Sequence, residues 1–350
     1  LIVDQLSQIL RNTLGLKERT PNPGWLKQYQ PDTQDNSQNQ FAIFLKPETT
    51  ALQEGVKFEE ILNCVLESLR KWKVQVGAIR ILTPEYLVRH QIMDRHYGVI
   101  NQISRHGYHA ISERARALLN DNFADDLEPD AEILGGHQFL SRFPAFSAFA
   151  LSTFSDNVEV KKLTGGTYCV RIKIDGRVFL VLNAFHPHQL ERFTTGNKAI
   201  VVMEGRSSTP WIDLRREMIG ATNPAYAFQG SIRHTLYSHR EEFGLANVGQ
   251  SANGIHLSAG PLEGMVELQR FLSNPDENVQ LDFEKTSFGR LLLSKGASRE
   301  AINSFAGNLN MQFEGHVISA FDLTEELDAE EAADRLMRTE DKIVGLHGIT

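Results

Sequence analysis

Five consecutive apolar residues, Phe41 to Leu45 in "QFAIFLKPE", stop at Lys46-Pro47. So short a run with no polar face has no side to offer to water, which predicts a strand buried on both faces. The proline ends the ladder by removing a donor. "GVKFEEILNCVLESLRKW" follows, and its Phe58, Ile61, Leu62, Val65, Leu66 and Leu69 fall on one helical face. "VQVGAIRILT" then alternates as a strand. Thr83-Pro84-Glu85 opens another helix, with Thr as N-cap and Pro in the first turn. A second series comes later: the strand "KAIVVMEG", the helix "STPWIDLRREMIG" ending at Gly220, a strand around Gly254–His256 and the helix "GPLEGMVELQRFL". Two such series predict an α+β fold, a split βαβ sandwich whose sheet is antiparallel in part.

The chain has 350 residues, more than this sandwich needs. Residues 1–40 read as a short helix and an arm rich in Pro, Asn, Gln and Asp. Residues 98–184 read as an insertion. It holds a helix in "ISERARALLND", an aromatic stretch "GGHQFLSRFPAFSAFALSTFS" of no clear period, and a β-hairpin turning at Asp175-Gly176. A short helix over 187–194 leads back to the core. Residues 273–350 read as a mostly helical extension, with "SREAINSFAGNL" and "TEELDAEEAADRLM" its best helices.

The net charge of −8 argues against broad nucleic-acid binding. Much of the acidity sits in "DLTEELDAEEAADRLMRTED", so a phosphate-attracting pocket elsewhere stays open. Cys64 and Cys169 have no CxxC partner, which fits a reducing cytoplasm. No apolar run reaches membrane-spanning length, and "LIVDQLSQIL" is too short and polar for a signal peptide.

His256 in "NGIHLSAG" is the residue whose role has to be decided. A lone histidine at a strand end is usually structural. Zinc is disfavoured, since no HxxxH or cysteine pair accompanies it, and no nucleophile elbow surrounds Ser258. A nucleophilic imidazole needs a carboxylate on its opposite nitrogen. Glu267 on the following helix is a candidate, against the commoner fate of a solvated glutamate. Ser258 would cap that helix or donate nearby. Phosphate chemistry needs fixed cations and donors, for which Lys46, Arg216, Arg233 and Thr222 are candidates. Spacing alone does not bring these distant positions together.

"FAIFLKPE", "RREMIGATNPAYAFQGSIR" and "NGIHLSAGPLEGMVEL", in this order, resemble the nucleoside diphosphate kinase family. The family pattern is a strand ending Lys-Pro-Asp, then Gly-Arg-x-x-x-Gly-x-Thr-Asn-Pro, Gly-Thr-Ile-Arg, and Asn-x-x-His-Gly-Ser-Asp-Ser with a helix glutamate. The resemblance covers 41–97 and 185–272 and implies a ferredoxin-like core carrying the insertion and the tail. It implies that His256 is transiently phosphorylated, that Glu267 orients it and that Asn253 and Ser258 support the site. Lys46, Arg216, Thr222 and Arg233 would hold phosphates. ATP and a nucleoside diphosphate, or a related phosphorylated small molecule, would react in turn. Mg²⁺ would ride on the nucleotide phosphates with no protein metal site. A cytoplasmic homo-oligomer, without nucleic-acid or membrane partners, is implied as well.

The chain departs from the pattern in several places. Gly-Ser-Asp after the histidine reads Leu257-Ser258-Ala259, Lys-Pro-Asp ends in Glu48, and the family's helix Tyr aligns with Ile92, near Tyr97. Phe185 or Phe193 would take the base-stacking place. The inserts and the long connection from Arg233 to Asn253 offer His186, His188, His234, His239 and Arg240 to an unusual acceptor. Two other readings therefore stand beside the kinase: the same phosphohistidine chemistry on a specialised phosphorylated metabolite, and a non-catalytic nucleotide-binding or scaffold module that kept the fold.

Overall fold

A computed structural model describes residues 2–15, 24–31, 38–126, 131–249 and 251–343. Its strands are β1 (Trp25–Lys27), β2 (Asn39–Leu45), β3 (Gln75–Leu82), β4 (Glu132–Gly135), β5 (Val160–Thr164) and β6 (Thr167–Ile174). They continue with β7 (Arg177–Leu182), β8 (Ile200–Ser207), β9 (Ile255–Leu257), β10 (Asn310–Phe313), β11 (His316–Ser319) and β12 (Glu340–Ile343). The chain divides into two compact units, Leu1–Tyr86 with Asn197–Thr350, and Leu87–Gly196. Of the N-terminal arm, 16–23 and 32–37 lie outside the described residues, as does 344–350 of the tail.

In the first unit one sheet runs β1-β3-β8-β2-β9, with every neighbouring pair antiparallel. All seven residues of β2 are buried, because the sheet is covered on both faces. Side chains alternate across a strand. Ile43, Leu45, Val201, Met203, Ile255 and Leu257 share one core with the helix Phe58–Lys71, which contributes Phe58, Ile61, Leu62, Val65 and Leu69. Phe44 and His256 lie on the opposite face, where the helix Pro261–Leu272 brings Phe271 to 5.2 Å from the Phe44 ring. The predicted helix up to Gly220 is a turn of α-helix, Trp211–Asp213, continued by a π-helical stretch, Leu214–Ile219. Such widened turns recur at functional sites. Gly220 ends it at φ +92, and a Cβ there would meet Ser231 Oγ at 2.3 Å.

The tail is not helical throughout. Its helices Ser287–Ser294, Arg299–Ala306, Ala320–Thr324 and Ala329–Met337 bury a shared core against Leu262, Met265 and Val266 of the helix Pro261–Leu272. Between and after them stands a small sheet, β11-β10-β12. Its strands have four residues each and no apolar alternation, which is why their sequence gives no strand signal.

The second unit carries the sheet β4-β7-β6-β5, with β4 parallel to β7. The β6–β7 hairpin turns at Asp175 (φ +49) and Gly176 (φ +83), the left-handed pair its short turn requires. The unit begins at Leu87 and ends at Gly196, outside the 98–184 expected for the insertion. The reason is packing: the helix His186–Thr194 docks on the helix Gly98–His106, through His186 Nε2 to Asn101 Oδ1 at 3.2 Å. His186 is fully buried, and Gln189 holds its Nδ1 at 3.1 Å. It serves this interior rather than an acceptor. His137 meets Ser104 Oγ at 2.9 Å, and burial, then the charge of Arg105, pushes it down to about 4. Phe193 is buried beside Tyr97, and Phe185 packs edge-on against Tyr168, so neither is a ready platform for a base. Both cysteines are free thiols. Among the described residues, no helix is long and apolar enough to cross a membrane.

Candidate active site

His256 sits in the middle of β9, paired with Phe44 of β2, and its ring stacks on the Phe44 ring at 4.4 Å and 19°. Gly254 allows the approach to the strand. Its φ is +79, and a Cβ would meet Leu236 Cδ1 at 2.4 Å. On the helix Pro261–Leu272, Glu267 is fully buried and accepts from His256 Nε2 at 2.8 and 3.0 Å with its two oxygens. Ser258 Oγ donates to the same carboxylate at 2.5 Å while accepting from the Ala42 N–H at 3.0 Å. His256 Nε2 and the Ser258 hydroxyl thus both donate to Glu267, and an ionised carboxylate requires the imidazole proton to stay on Nε2. The lone pair is then on Nδ1.

Burial lowers the His256 pKa. Glu267 opposes this, and the charges of Lys46 and Arg233 lower it further. The imidazole is thus neutral at pH 7, the nucleophilic form.

Backbone and side-chain bonds draw most of the predicted phosphate-binding residues to this end of the sheet. Lys46, buried, leaves β2 with its N–H on Gly254 O at 2.9 Å, and Glu48 accepts the Gly254 N–H at 2.9 Å. Asn253 Nδ2 donates to Thr222 O at 3.0 Å. Arg233 donates to Gly220 O at 2.9 Å and to Ile255 O at 3.1 Å. Burial, then the charge of Arg215, pushes Arg233 down to about 10, so it remains a cation at neutral pH. Thr222, Arg233 and Arg216 line a cavity of about 300 Å³ with Arg215, Tyr226, Phe228, Leu257 and Glu326. Leu257 adjoins His256 but points to the other face of the sheet. Arg216 differs from the rest: its side chain is 66% exposed and ion-paired with Glu326 at 2.9 Å.

Sequence reasoning missed Phe44, Arg215, Glu263 and Glu326. Phe44 was hidden in an apolar run, two residues before Lys46. Glu326 lies 110 residues from Arg216, and no spacing rule spans that distance. Glu263 stands one turn before Glu267 and accepts the Ala259 N–H at 3.0 Å. Burial first, then the Glu267 charge, pushes Glu263 up to about 8, while the Ala259 N–H, Arg215 and Arg270 hold it down. Its folded pKa is thus above its unfolded one, so the proton it binds stabilises the fold fully at acid pH. That contribution is lost as the pH climbs towards 8. Glu263→Gln keeps the protonated shape without the charge. Urea unfolding at pH 5 and pH 8 is expected to show the variant gaining on wild type as the pH rises. A stability difference independent of pH would mean that Glu263 is ionised throughout.

The chain matches no family model and no curated protein. Among solved structures, those similar to it include nucleoside diphosphate kinases. One, from Encephalitozoon cuniculi, is 13% identical, with 70% of this chain and 95% of that chain covered and a TM-score of 0.32. Another, an NDP kinase from Pyrobaculum aerophilum, is 15% identical, with 68% and 97% covered and a TM-score of 0.32.

Proposed function

We propose that this chain is a phosphotransferase that moves the γ-phosphate of ATP through a phosphohistidine at His256 to a nucleoside diphosphate. The observation that carries the reading is the His256–Glu267–Ser258 arrangement, an imidazole fixed by a fully buried carboxylate. Nδ1 attacks the γ-phosphorus, the bond to the β–γ bridging oxygen breaks, and ADP leaves with that electron pair. Positive charge then develops on the ring, and Glu267 stabilises it through Nε2–H. In the second half a terminal oxygen of the acceptor's β-phosphate attacks, and the P–N electron pair returns to Nδ1. Lys46, Arg216, Thr222, Arg233 and Asn253 would hold the phosphates. They are cations and neutral donors, which suit phosphate oxygens, and Mg²⁺ carried on the nucleotide phosphates would supply further charge neutralisation there. The strand order β9-β2-β8-β3, with the helix Phe58–Lys71 joining β2 to β3, supports a ferredoxin-like core.

Incubation with Mg²⁺ and γ-labelled ATP is expected to leave acid-labile, base-stable label on the protein, discharged by GDP or CDP. Label that forms but resists every nucleoside diphosphate would move the acceptor to a specialised phosphorylated metabolite. ATP binding without label would leave a nucleotide-binding module.

A further inference from the structure

The phenyl ring stacked on His256 has no place in the chemistry above. Phe44 is fully buried, and its ring lies 4.4 Å from the imidazole at 19°, face to face. The two residues are directly paired on neighbouring strands, the closest cross-strand position. Phe271, on the helix Pro261–Leu272, meets the same phenyl ring at 5.2 Å and 57°. Glu267, one turn earlier on that helix, holds Nε2 at the edge of the imidazole. One helix thus supplies the carboxylate at the imidazole's edge and packs against the phenyl ring that covers its face. An aliphatic side chain would also fill this space. It would lack the negative face of an aromatic ring, which attracts a cation lying over it.

We propose that Phe44 is a positioning residue that stabilises positive charge on the His256 ring, and through it the phosphorylated intermediate, by a cation–π stack. The role of the intermediate rests on the phosphotransferase reading. As the Nδ1–P bond forms, the bond to the β–γ bridging oxygen breaks and ADP leaves with that electron pair. Nε2 keeps its proton, so the ring is positive until the phosphoryl group moves on. Burial opposes that charge, Glu267 offsets part of the cost, and Lys46 and Arg233 oppose it further. The cations that would hold phosphates therefore work against the intermediate. A second ionised carboxylate against the ring would correct this, but it would also repel the incoming triphosphate. The phenyl face stabilises the positive ring without adding net charge to the site.

The test replaces Phe44 in the full chain with Leu and, site-specifically, with mono-, di- and trifluorinated phenylalanine. Fluorine withdraws electron density from the ring face step by step while the shape hardly changes. Two quantities are read. The first is the fraction of protein carrying γ-label at equilibrium over a range of ATP-to-ADP ratios. The second is the titration of the His256 ring followed by NMR, since a proton places the same charge on the ring with no phosphate present. The charges that the first unit turns towards this ring, on Glu267, Lys46 and Arg233, stay in place in every variant, as does Glu263 one turn before Glu267. Phe44→Leu is expected to lower the phosphorylation equilibrium constant and the proton affinity of His256 by about tenfold each. The fluorinated variants are expected to fall between Leu and wild type, in order of their fluorine number. Wild-type values throughout the fluorinated series, with native circular dichroism, would overturn the proposal and leave Phe44 a packing residue, even if Phe44→Leu is impaired. The two ideas fail separately. Label on wild type without any grading defeats the stack. A graded titration without label defeats the phosphotransferase and keeps the stack as a stabiliser of the cationic imidazole.

Discussion

His256→Gln is expected to lose protein phosphorylation and phosphoryl transfer by about a thousandfold or more, while the fold survives. Removing the nucleophile of a covalent mechanism has effects on that order or larger. The choice of glutamine separates two roles of the imidazole. Its amide N–H can still donate to Glu267, beside the Ser258 hydroxyl, in a fully buried setting. It has no ring nitrogen to attack phosphorus. His256→Ala removes both roles, along with the stacking on Phe44. Loss of label in both variants, with the glutamine variant closer to wild type in urea unfolding, is the expected pattern. Label on either variant at the wild-type level would move the nucleophile elsewhere. Since the His256 side chain is 19% exposed and lies on an edge strand, the glutamine is accommodated with little repacking.

The central fold was legible because its signals are local. Phe41–Leu45 is apolar without interruption, the helix over 58–71 repeats its apolar face, and Asp175-Gly176 supplies the turn that its hairpin demands. The His256–Glu267 contact followed from a strand running into a helix eleven residues on. Features that depend on remote pairing were not legible. β4 finds its parallel partner β7 across more than forty residues, and the aromatic stretch that follows it forms two helices, Gly136–Arg142 and Ala148–Asp156, each too short to show a period. The second unit extends to Leu87 and Gly196 because His186 docks into Asn101, a contact between distant segments. Arg216 was picked as a phosphate holder, yet its ion pair with Glu326 comes from the tail. The alternation in "VQVGAIRILT" gave no hint that Arg80 is buried, because a charge in a strand normally marks the wet face.

Arg80→Met is expected to destabilise the first unit by about 3 kcal/mol, and to reduce phosphorylation more than that loss of folded protein explains. Arg80 is fully buried, and its guanidinium ends the helix that carries Glu267. One nitrogen donates to Phe271 O at 3.0 Å and to Ser273 O, and another to Tyr86 Oη at 2.8 Å. The guanidinium also lies over the rings of Trp25, at 4.6 Å, and Tyr86, at 5.0 Å. The last carbonyls of a helix have no partner within it. Here Arg80 supplies the partner, with its positive charge at the favourable end of the helix dipole. Methionine fills most of the volume but offers no donor, so the carbonyls of Phe271 and Ser273 lose a buried partner and the helix end loses its anchor. Glu267 lies one turn before Phe271, and a shift of that turn changes the angle at which its carboxylate meets His256. Arg80→Lys keeps the charge but cannot reach three acceptors in a plane, so it should recover only part of the stability. The paired measurement is urea unfolding with γ-label incorporation per folded molecule. A loss below about 1 kcal/mol in Arg80→Met, the range of an exposed pair, would mean that water or a neighbouring donor caps the helix in its place.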